Sequence, residues 1–258
     1  MSTCLTEFPS FACLDIVSGP MFAGKTTRLV KKVREALGAS VYHSVVVLKP
    51  SLDTREGISV PPVIRTHDGD EVRDGREETS MVHHHLPANN SSTPSQNVHI
   101  NPTVASLGLS ERVMVCPVDD PEWIIGRLPV CVEGKRVFVG VDEVQFFTPR
   151  WVGVVMETLL LMRSDVDMVV VGLDMDRDGN QFPGMGSVEG FAAKHCFADT
   201  RLTGLLVEHE KLVGVCSVCG ERNATRTFYK GDRDGDQVLI GGSDLYEPRC
   251  YQHWLAGS

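Results

Sequence analysis

One stretch near the start of the chain constrains the fold more than any other. Residues 19–26 read Gly-Pro-Met-Phe-Ala-Gly-Lys-Thr, which fits the pattern G-x-x-x-x-G-K-[ST] of a phosphate-binding loop. The apolar run at 13–17 predicts a buried strand before the loop, and residues 25–37 predict a helix that stops at Gly38. Because a helix N-terminus carries partial positive charge, this order places it under bound phosphates. A chance match in a glycine turn would not bring this strand and helix with it.

The composition argues against several classes of protein. The net charge of −9 disfavours a broad electrostatic grip on nucleic acid. No apolar run approaches the ~18 residues of a membrane span, and residues 1–10 lack the features of a signal peptide. Four cysteines are scattered through apolar or terminal stretches, which predicts reduced thiols and a cytoplasmic protein: Cys4, Cys13, Cys116 and Cys131.

Apolar, β-branched runs alternate with helical segments over most of the chain. Strands are predicted at 44–49, 112–115, 136–141 and 167–173, and helices at 121–128, 149–162 and 187–195. This alternation predicts an α/β domain over residues 1–205, with a RecA-like parallel sheet and helices on both faces.

Two regions depart from that alternation. Residues 75–105 are rich in Ser, Asn and Pro and predict a disordered insertion, in which the run His83, His84 and His85 is better explained by a solvated loop than by a metal site. Short strand-like pieces at 207–215, 224–229 and 237–240 predict a second, β-rich module over residues 206–258.

Carboxylates follow the predicted strand at 136–141, at the edge of the sheet where ligands bind. Asp142 is placed to hold the Mg²⁺ shell together with the Thr26 hydroxyl, while Lys25 reaches the β- and γ-phosphates. Glu143 is a candidate base that takes a proton from an attacking hydroxyl, and the alternative is a solvated loop residue.

A polar loop follows the predicted strand at 44–49 and emerges at the same edge of the sheet. Arg55 in this loop is a candidate phosphate contact, oriented by Asp53. An exposed surface loop explains its position equally well.

The late cysteines and one histidine have the spacing of metal ligands. Cys216 and Cys219 form a C-x₂-C pair, and Cys250 and His253 form a C-x₂-H pair 30 residues later. Three thiolates and one imidazole suit a closed tetrahedral Zn²⁺ site, which predicts a structural metal that stabilises the small module. Two Asp-rich segments resemble the start of a calcium loop, but neither carries its final Glu, so calcium is rejected.

In this order, the features resemble the type II thymidine kinases, the cytosolic family that includes the human cytosolic enzyme. The matching stretches are residues 19–27, 53–55, 66–68, 141–147, 172–174, 216–219, 224–227 and 240–246. The resemblance implies ATP-dependent phosphorylation of the 5′-hydroxyl of thymidine and deoxyuridine. It also implies inhibition by thymidine triphosphate and assembly into a homodimer or homotetramer.

The resemblance also implies roles for individual residues. Glu143 is the implied base, acting with Lys25 and Arg55, and Thr26 and Asp142 serve Mg²⁺. The implied ATP and phosphate residues are Gly19, Pro20, Met21, Phe22, Ala23, Gly24, Lys25, Thr26, Thr27, Asp53, Thr54, Arg55, Asp142 and Gln145.

In the family, a zinc-held loop called the lasso closes over the base. The implied nucleoside residues are Met21, Phe146, Leu173, Phe182, Thr227, Gln237, Val238, Leu239, Ile240, Gly241 and Tyr246. Thr227 is expected beside the thymine methyl, and Tyr246 near the sugar or base. Arg177 stands where the family usually carries an aromatic residue, and Phe182 is expected to replace it.

Two other classes of protein stay open at this point. One is an ATPase with a zinc ribbon that acts on nucleic acid, and the other is a structural zinc protein with a vestigial nucleotide site. The acidic balance and the lack of a Lys/Arg cluster near the zinc ligands argue against the first. Intact Lys25, Thr26, Asp142 and Glu143 argue against the second.

Overall fold

The computed structural model describes residues 11–53, 63–65, 71–73, 110–196, 205–231 and 241–257. Six strands form one sheet in which all neighbours are parallel. In spatial order they are β5 (Ser110–Cys116), β2 (Tyr42–Pro50), β6 (Arg136–Val141), β7 (Val166–Gly172), β1 (Ala12–Ser18) and β8 (Leu205–Lys211). The predicted α/β fold with a parallel sheet is thereby confirmed.

Two antiparallel pairs lie outside this sheet. They are β3 (Val63–Arg65) with β4 (Glu71–Arg73), and β9 (Arg226–Tyr229) with β10 (Tyr246–Arg249). The helices are α1 (Lys25–Gly38), α2 (Pro121–Ile125), α3 (Pro149–Met156), α4 (Pro183–Cys196) and α5 (Tyr251–Ala256). Within the described segments, no helix combines the length and apolar character needed to cross a bilayer.

Both faces of the sheet are covered by helices, as the apolar strands require. Alternate side chains of a strand point to opposite faces. Val45 and Val47 accordingly pack with Leu29 of α1, whereas Val46 and Leu48 belong to the core under α3 and α4. Strands buried on both sides read as continuous apolar runs, which explains why they were predictable from the sequence.

The helix boundaries follow from capping. The Asp120 carboxylate accepts a hydrogen bond from the Trp123 N–H at 3.1 Å, and the Thr148 hydroxyl accepts one from the Trp151 N–H at 3.2 Å. A proline follows each cap, where its missing N–H costs nothing.

Three predicted helix ends differ from the structure. The helix predicted at 121–128 ends at Ile125, and the one predicted at 149–162 changes to a π-helical turn at Glu157–Leu161. The helix predicted from 187 begins at Pro183 instead, because proline is tolerated in a first turn.

The strand predicted at 207–215 was assigned to the wrong part of the fold. Residues Leu205–Lys211 pair in parallel with β1 and form the sixth strand of the main sheet. The sequence pattern had indicated that they belong to the C-terminal module. As an edge strand with Glu208, Glu210 and Lys211 exposed, β8 lacks the continuous apolar run of the buried strands. The boundary between the two domains stays a prediction.

A buried ionic network joins β6 and β7 at the end of the sheet opposite the phosphate loop. The Arg136 guanidinium donates to both Asp167 oxygens, at 2.6 and 2.7 Å, and Tyr42 donates its hydroxyl to the same carboxylate at 2.8 Å. Arg136 also donates to the carbonyl oxygens of Ser164 and Phe11. The Asp167 carboxylate therefore compensates the positive charge of a buried guanidinium.

We expect Asp167→Asn to lower the free energy of unfolding by about 3 kcal/mol, because it leaves a buried guanidinium without its counter-charge. Urea unfolding followed by circular dichroism measures the loss. Glu122→Gln is the control, since its ion pair with Arg150 leaves the side chains 63% and 59% exposed, and we expect no measurable change there. Equal stabilities of Asp167→Asn and the unmodified protein would contradict the role of this network.

The predicted reduced thiols can be checked for three cysteines. Cys13, Cys116 and Cys131 are not paired in disulfides, whereas Cys4 lies outside the described residues. Burial, with a further contribution from Asp167, raises the pKa of Cys13 to about 12, and burial raises the pKa of Cys116 to about 12. Both thiols therefore stay protonated and unreactive near neutral pH.

Candidate active site

The phosphate loop connects β1 to α1, and its backbone accepts a hydrogen bond from its own lysine, Lys25. The Ala23 N–H donates to the Pro20 carbonyl at 3.4 Å, and the buried Lys25 ammonium donates to the same oxygen at 2.6 Å. Gly24 caps α1 with a left-handed backbone at φ 88°. The first N–H groups of α1 therefore face the loop interior, where an anion is favoured.

Gly19 lets the loop pass close to the segment that follows β8. An added Cβ at this position would lie 2.6 Å from the Leu212 carbonyl oxygen, and φ is +148°. No side chain fits there unless the loop or residue 212 moves.

We therefore expect Gly19→Ala to weaken ATP binding about tenfold or more, since backbone strain of roughly 1–3 kcal/mol falls on the loop. Titration with a fluorescent ATP analogue measures the change in Kd. Gly38→Ala is the matched control, because nothing lies within 4 Å of an added Cβ at the end of α1. Unchanged affinity in Gly19→Ala would show that the loop tolerates the side chain.

A cleft brings the loop together with two other parts of the chain. Its lining consists of Met21, Phe22, Gly24, Lys25, Thr26, Thr27, Glu143 and Leu173. These residues come from the ends of β1, β6 and β7, whose carboxyl ends meet at one edge of the sheet. Ligands of open parallel sheets bind at this edge.

Asp142 and Glu143 both turn towards the phosphate loop. The Thr26 hydroxyl donates to the buried Asp142 carboxylate at 3.4 Å, and Glu143 lines the cleft beside it. Neighbouring residues of a strand would point to opposite faces, but Glu143 has a left-handed backbone at φ 51°. Such backbone costs free energy in a non-glycine residue and is concentrated at functional sites.

Gln145 connects Glu143 and Leu173, the two residues of the cleft lining that lie outside the phosphate loop and α1. Its amide nitrogen donates to the Glu143 carboxylate, and its amide oxygen accepts the Leu173 N–H at 3.0 Å. The side chain is buried, so both contacts are shielded from water. Gln145 was predicted among the residues that bind ATP. The structure shows it holding Glu143 and Leu173, and a contact with ATP stays a prediction.

The predicted polar loop after β2 is described only in part. Asp53 is buried and forms an ion pair with Lys49 at 3.5 Å. Thr54 and Arg55 lie outside the described residues, so their roles and the pairing of Asp53 with Arg55 stay predictions.

The two predicted aromatic residues are both half-buried. Phe146 is half-buried in the 3₁₀ turn after Glu143, and Phe182 is half-buried against the core. Phe147, the other aromatic of this turn, stacks on Trp151 at 4.0 Å between ring centroids and is part of the core.

The C-terminal module touches the phosphate loop directly. The Met21 N–H donates to the buried Thr227 hydroxyl at 3.0 Å. Tyr246 is buried opposite Tyr229, with 5.3 Å between their ring centroids, and Gly241 packs on Leu245. Gln237, Val238, Leu239 and Ile240 lie outside the described residues, so the predicted lasso contacts stay predictions.

The four predicted metal ligands form one cluster, and their ligand atoms all lie within 4.8 Å of one another. His253 Nδ1 lies 3.1 Å from the Cys250 sulfur and 3.5 Å from the Cys216 sulfur. Desolvation raises the pKa of Cys216, but hydrogen bonds from the backbone N–H groups of Cys219, Cys250 and Val218 outweigh it and lower the pKa to about 6. The separations of the four ligand atoms, with a Cys216 thiol that favours its thiolate form, fit a bound metal cation.

Several contacts around the cleft had no signal in the sequence. Leu212 closes on Gly19, and Trp254 and Arg177 join the C-terminal helix to the loop after β7. Leu212 and Trp254 belong to no motif, and Arg177 stood out only because the family usually carries an aromatic residue at its position. Each contact joins positions far apart in the chain. The glycine at 19 was the one available sign of a close backbone approach.

The fold and the cleft define a class of protein. A phosphate loop at a helix N-terminus, facing an Asp-Glu pair across the edge of a parallel sheet, is the arrangement of nucleotide-binding proteins that transfer phosphoryl groups. The sequence matches the family model described as thymidine kinase over residues 12–101 and 130–254. The chain belongs to the thymidine kinase family.

Relatives of this chain carry the same name. A thymidine kinase of Coprothermobacter proteolyticus is 28% identical, with 93% of this chain and 89% of the relative aligned. One from Pseudothermotoga lettingae is 30% identical over 92% of this chain and 91% of its own length. One from Oryza sativa subsp. japonica is 28% identical over 95% of this chain and 66% of its own length.

Proposed function

We propose that this protein transfers the γ-phosphoryl group of ATP to the 5′-hydroxyl of thymidine, and also of deoxyuridine. The observation that carries the proposal is the cleft in which the phosphate loop meets Glu143 and Leu173. Family membership supplies the substrate class. A kinase needs a triphosphate and an acceptor hydroxyl in one site, and this cleft has residues suited to both.

The triphosphate lies along the loop at the N-terminus of α1. Lys25 exchanges its hydrogen bond to Pro20 for the β- and γ-phosphate oxygens. Thr26 and Asp142 would hold Mg²⁺, since hydroxyl and carboxylate oxygens are the ligands it prefers, and the ion offsets phosphate charge. Arg55 adds a further cation beside the transferred group, with Asp53 and Thr54 in the same loop.

Glu143 is the base in this proposal. Its carboxylate takes the proton from the 5′-hydroxyl as the oxygen attacks phosphorus. The hydrogen bond from Gln145 holds the Glu143 carboxylate at the cleft. Because Gln145 also holds the Leu173 N–H, the base and one wall of the nucleoside site are positioned together.

The C-terminal module closes the nucleoside side of the cleft. The Cys216, Cys219, Cys250 and His253 cluster would hold structural Zn²⁺. Thr227 anchors β9 on the phosphate loop. Residues 237–241, the lasso, lie over the base and read its edge through backbone groups, which excludes purines by size and cytosine by donor pattern. A closed lasso also keeps water from the phosphoryl group.

As the family resemblance implies, thymidine triphosphate inhibits from the acceptor side of the cleft, and the chain assembles as a homodimer or homotetramer. The scattered cysteines favour a cytoplasmic location. The acidic net charge and the absence of a long apolar run argue against nucleic acid and membranes as partners.

The test is an ADP-release assay with Mg²⁺, ATP and either thymidine, deoxyuridine or a purine deoxynucleoside. We expect thymidine-dependent and deoxyuridine-dependent release and none with purine nucleosides. A parallel arm adds single-stranded or duplex DNA without nucleoside. Hydrolysis stimulated by DNA, with no response to thymidine, would support the zinc-ribbon ATPase instead.

A further inference from the structure

The loop between β7 and α4 touches the cleft at its first residues. The Leu173 N–H is held by Gln145, and Leu173 itself lines the cleft. Asp174, which is buried, forms an ion pair with Lys211 of β8 at 2.7 Å. These contacts join the start of the loop to Gln145 and to the end of β8.

The middle of the loop is tightly closed on itself. The Asp176 carboxylate accepts the N–H groups of Asp178 at 2.9 Å and Asn180 at 2.8 Å. The Asp176 N–H donates in turn to the Asn180 carbonyl at 2.8 Å. These hydrogen bonds brace residues 176–180, and only Asp174 and Met175 separate this turn from Leu173 in the chain.

The C-terminal helix α5 contacts the same turn through Trp254. Trp254 directly follows the metal ligand His253, and its indole N–H donates to the Arg177 carbonyl at 3.2 Å. The indole ring also packs on Gly179, where an added Cβ would lie 3.1 Å from the ring. The position of this ring is fixed by α5, whose first turn carries two ligands of the cluster.

Arg177 makes a second contact with the C-terminal module. Its guanidinium lies over the Tyr229 ring of β9 at 5.1 Å from the centroid, and its side chain is only 8% exposed. A cation over an aromatic face is attracted to it, more strongly where water is excluded. Both β9 and α5 therefore hold the loop that leads to the cleft.

We infer that Trp254 and Arg177 are positioning residues that couple the metal cluster to the nucleoside site. With the cluster loaded, α5 and β9 hold residues 173–180 against the cleft. With the cluster empty, α5 loses its anchor and Leu173 loses its support. This inference rests on the proposed function, because it needs thymidine in the cleft and Zn²⁺ in the cluster. Coupling of this kind is reciprocal, so thymidine strengthens metal binding by the factor by which metal strengthens thymidine binding.

The test measures that factor from the metal side. The Kd for Zn²⁺ is determined by competition with a chromophoric chelator, with and without saturating thymidine. In the unmodified protein we expect thymidine to tighten Zn²⁺ binding by about 5- to 150-fold. In Trp254→Phe, which keeps an aromatic side chain but removes the N–H donor and shortens the ring that packs on Gly179, we expect the factor to fall by about 3- to 10-fold.

Arg177→Gln tests the other contact and keeps the backbone carbonyl. We expect KM for thymidine to rise by about 3- to 10-fold, with KM for ATP unchanged, because only the nucleoside wall loses support. A purely structural role would lower thermal stability and leave the coupling factor intact. Leu255→Ala is the control, since this neighbour of Trp254 is 61% exposed, and its coupling factor should equal that of the unmodified protein.

The outcomes separate this inference from the proposed function. Thymidine that is bound and phosphorylated without any effect on Zn²⁺ affinity overturns the coupling alone. So does a coupling factor that is unchanged in both Trp254→Phe and Arg177→Gln. Thymidine that is neither bound nor phosphorylated by the metal-loaded protein overturns the proposed function and this inference with it.

Discussion

Glu143→Gln is expected to lower kcat for thymidine by about 10²- to 10⁴-fold, because the amide cannot accept the proton of the attacking hydroxyl. The substitution preserves size and can still contact Gln145 at the far side of the cleft. Affinity for ATP should stay unchanged, since Lys25, Thr26 and the loop amides are intact. Steady-state ADP release gives kcat, and titration of an ATP analogue gives the Kd. Glu143→Ala should lose turnover in the same way.

Glu157→Gln is the control for this experiment. Glu157 is an exposed glutamate in the turn after α3, away from the residues that line the cleft. Its kcat should equal that of the unmodified enzyme. If Glu143→Gln also kept full kcat, the proton would have another acceptor and Glu143 would leave the mechanism.

Cys216→Ser is expected to abolish thymidine-dependent turnover and to release the bound metal. The buried apolar cluster at the proposed metal site consists of Cys216, Ala224 and Cys250, two of which are proposed ligands. So small a cluster cannot offset the entropy of ordering the module, and metal binding supplies the missing stability, about 10–16 kcal/mol in small zinc modules. The measurements are metal content by mass spectrometry and turnover with thymidine.

Binding of ATP should survive in Cys216→Ser, because the phosphate loop is built on the main sheet. Cys131→Ser is the matched control, since Cys131 is exposed and takes no part in the cluster. It should keep both metal and activity. Turnover that persists in metal-free Cys216→Ser would mean that the module holds its shape without the ion.

The sequence predicted what local patterns encode. The phosphate loop needs Gly19 and Gly24 for its backbone and Lys25 for its charge, and all three belong to one short stretch of the chain. Val-rich runs predicted the buried strands, and two short pairs of ligands predicted the metal cluster. Each of these signals lies within a few residues of its partner.

Other parts of the molecule depend on contacts that no local pattern encodes. β8 pairs with β1 across nearly the whole chain, and its exposed charges hid it from the apolar signal. The role of Gln145 was not visible in the sequence, because its hydrogen bond to the Leu173 N–H depends on the pairing of β6 with β7. The position of Glu143 in the cleft depends on a left-handed backbone conformation. A glycine in a sequence indicates that such a conformation is available, but a glutamate gives no such indication.

The most direct test of the proposed activity follows the phosphoryl group itself. ATP labelled at the γ-phosphate is incubated with Mg²⁺, thymidine and the enzyme, and the products are separated. We predict that label appears in thymidine 5′-monophosphate in equal amount to the ADP formed, and that Glu143→Gln forms almost none. Label found only in inorganic phosphate, with thymidine recovered unchanged, would contradict the account.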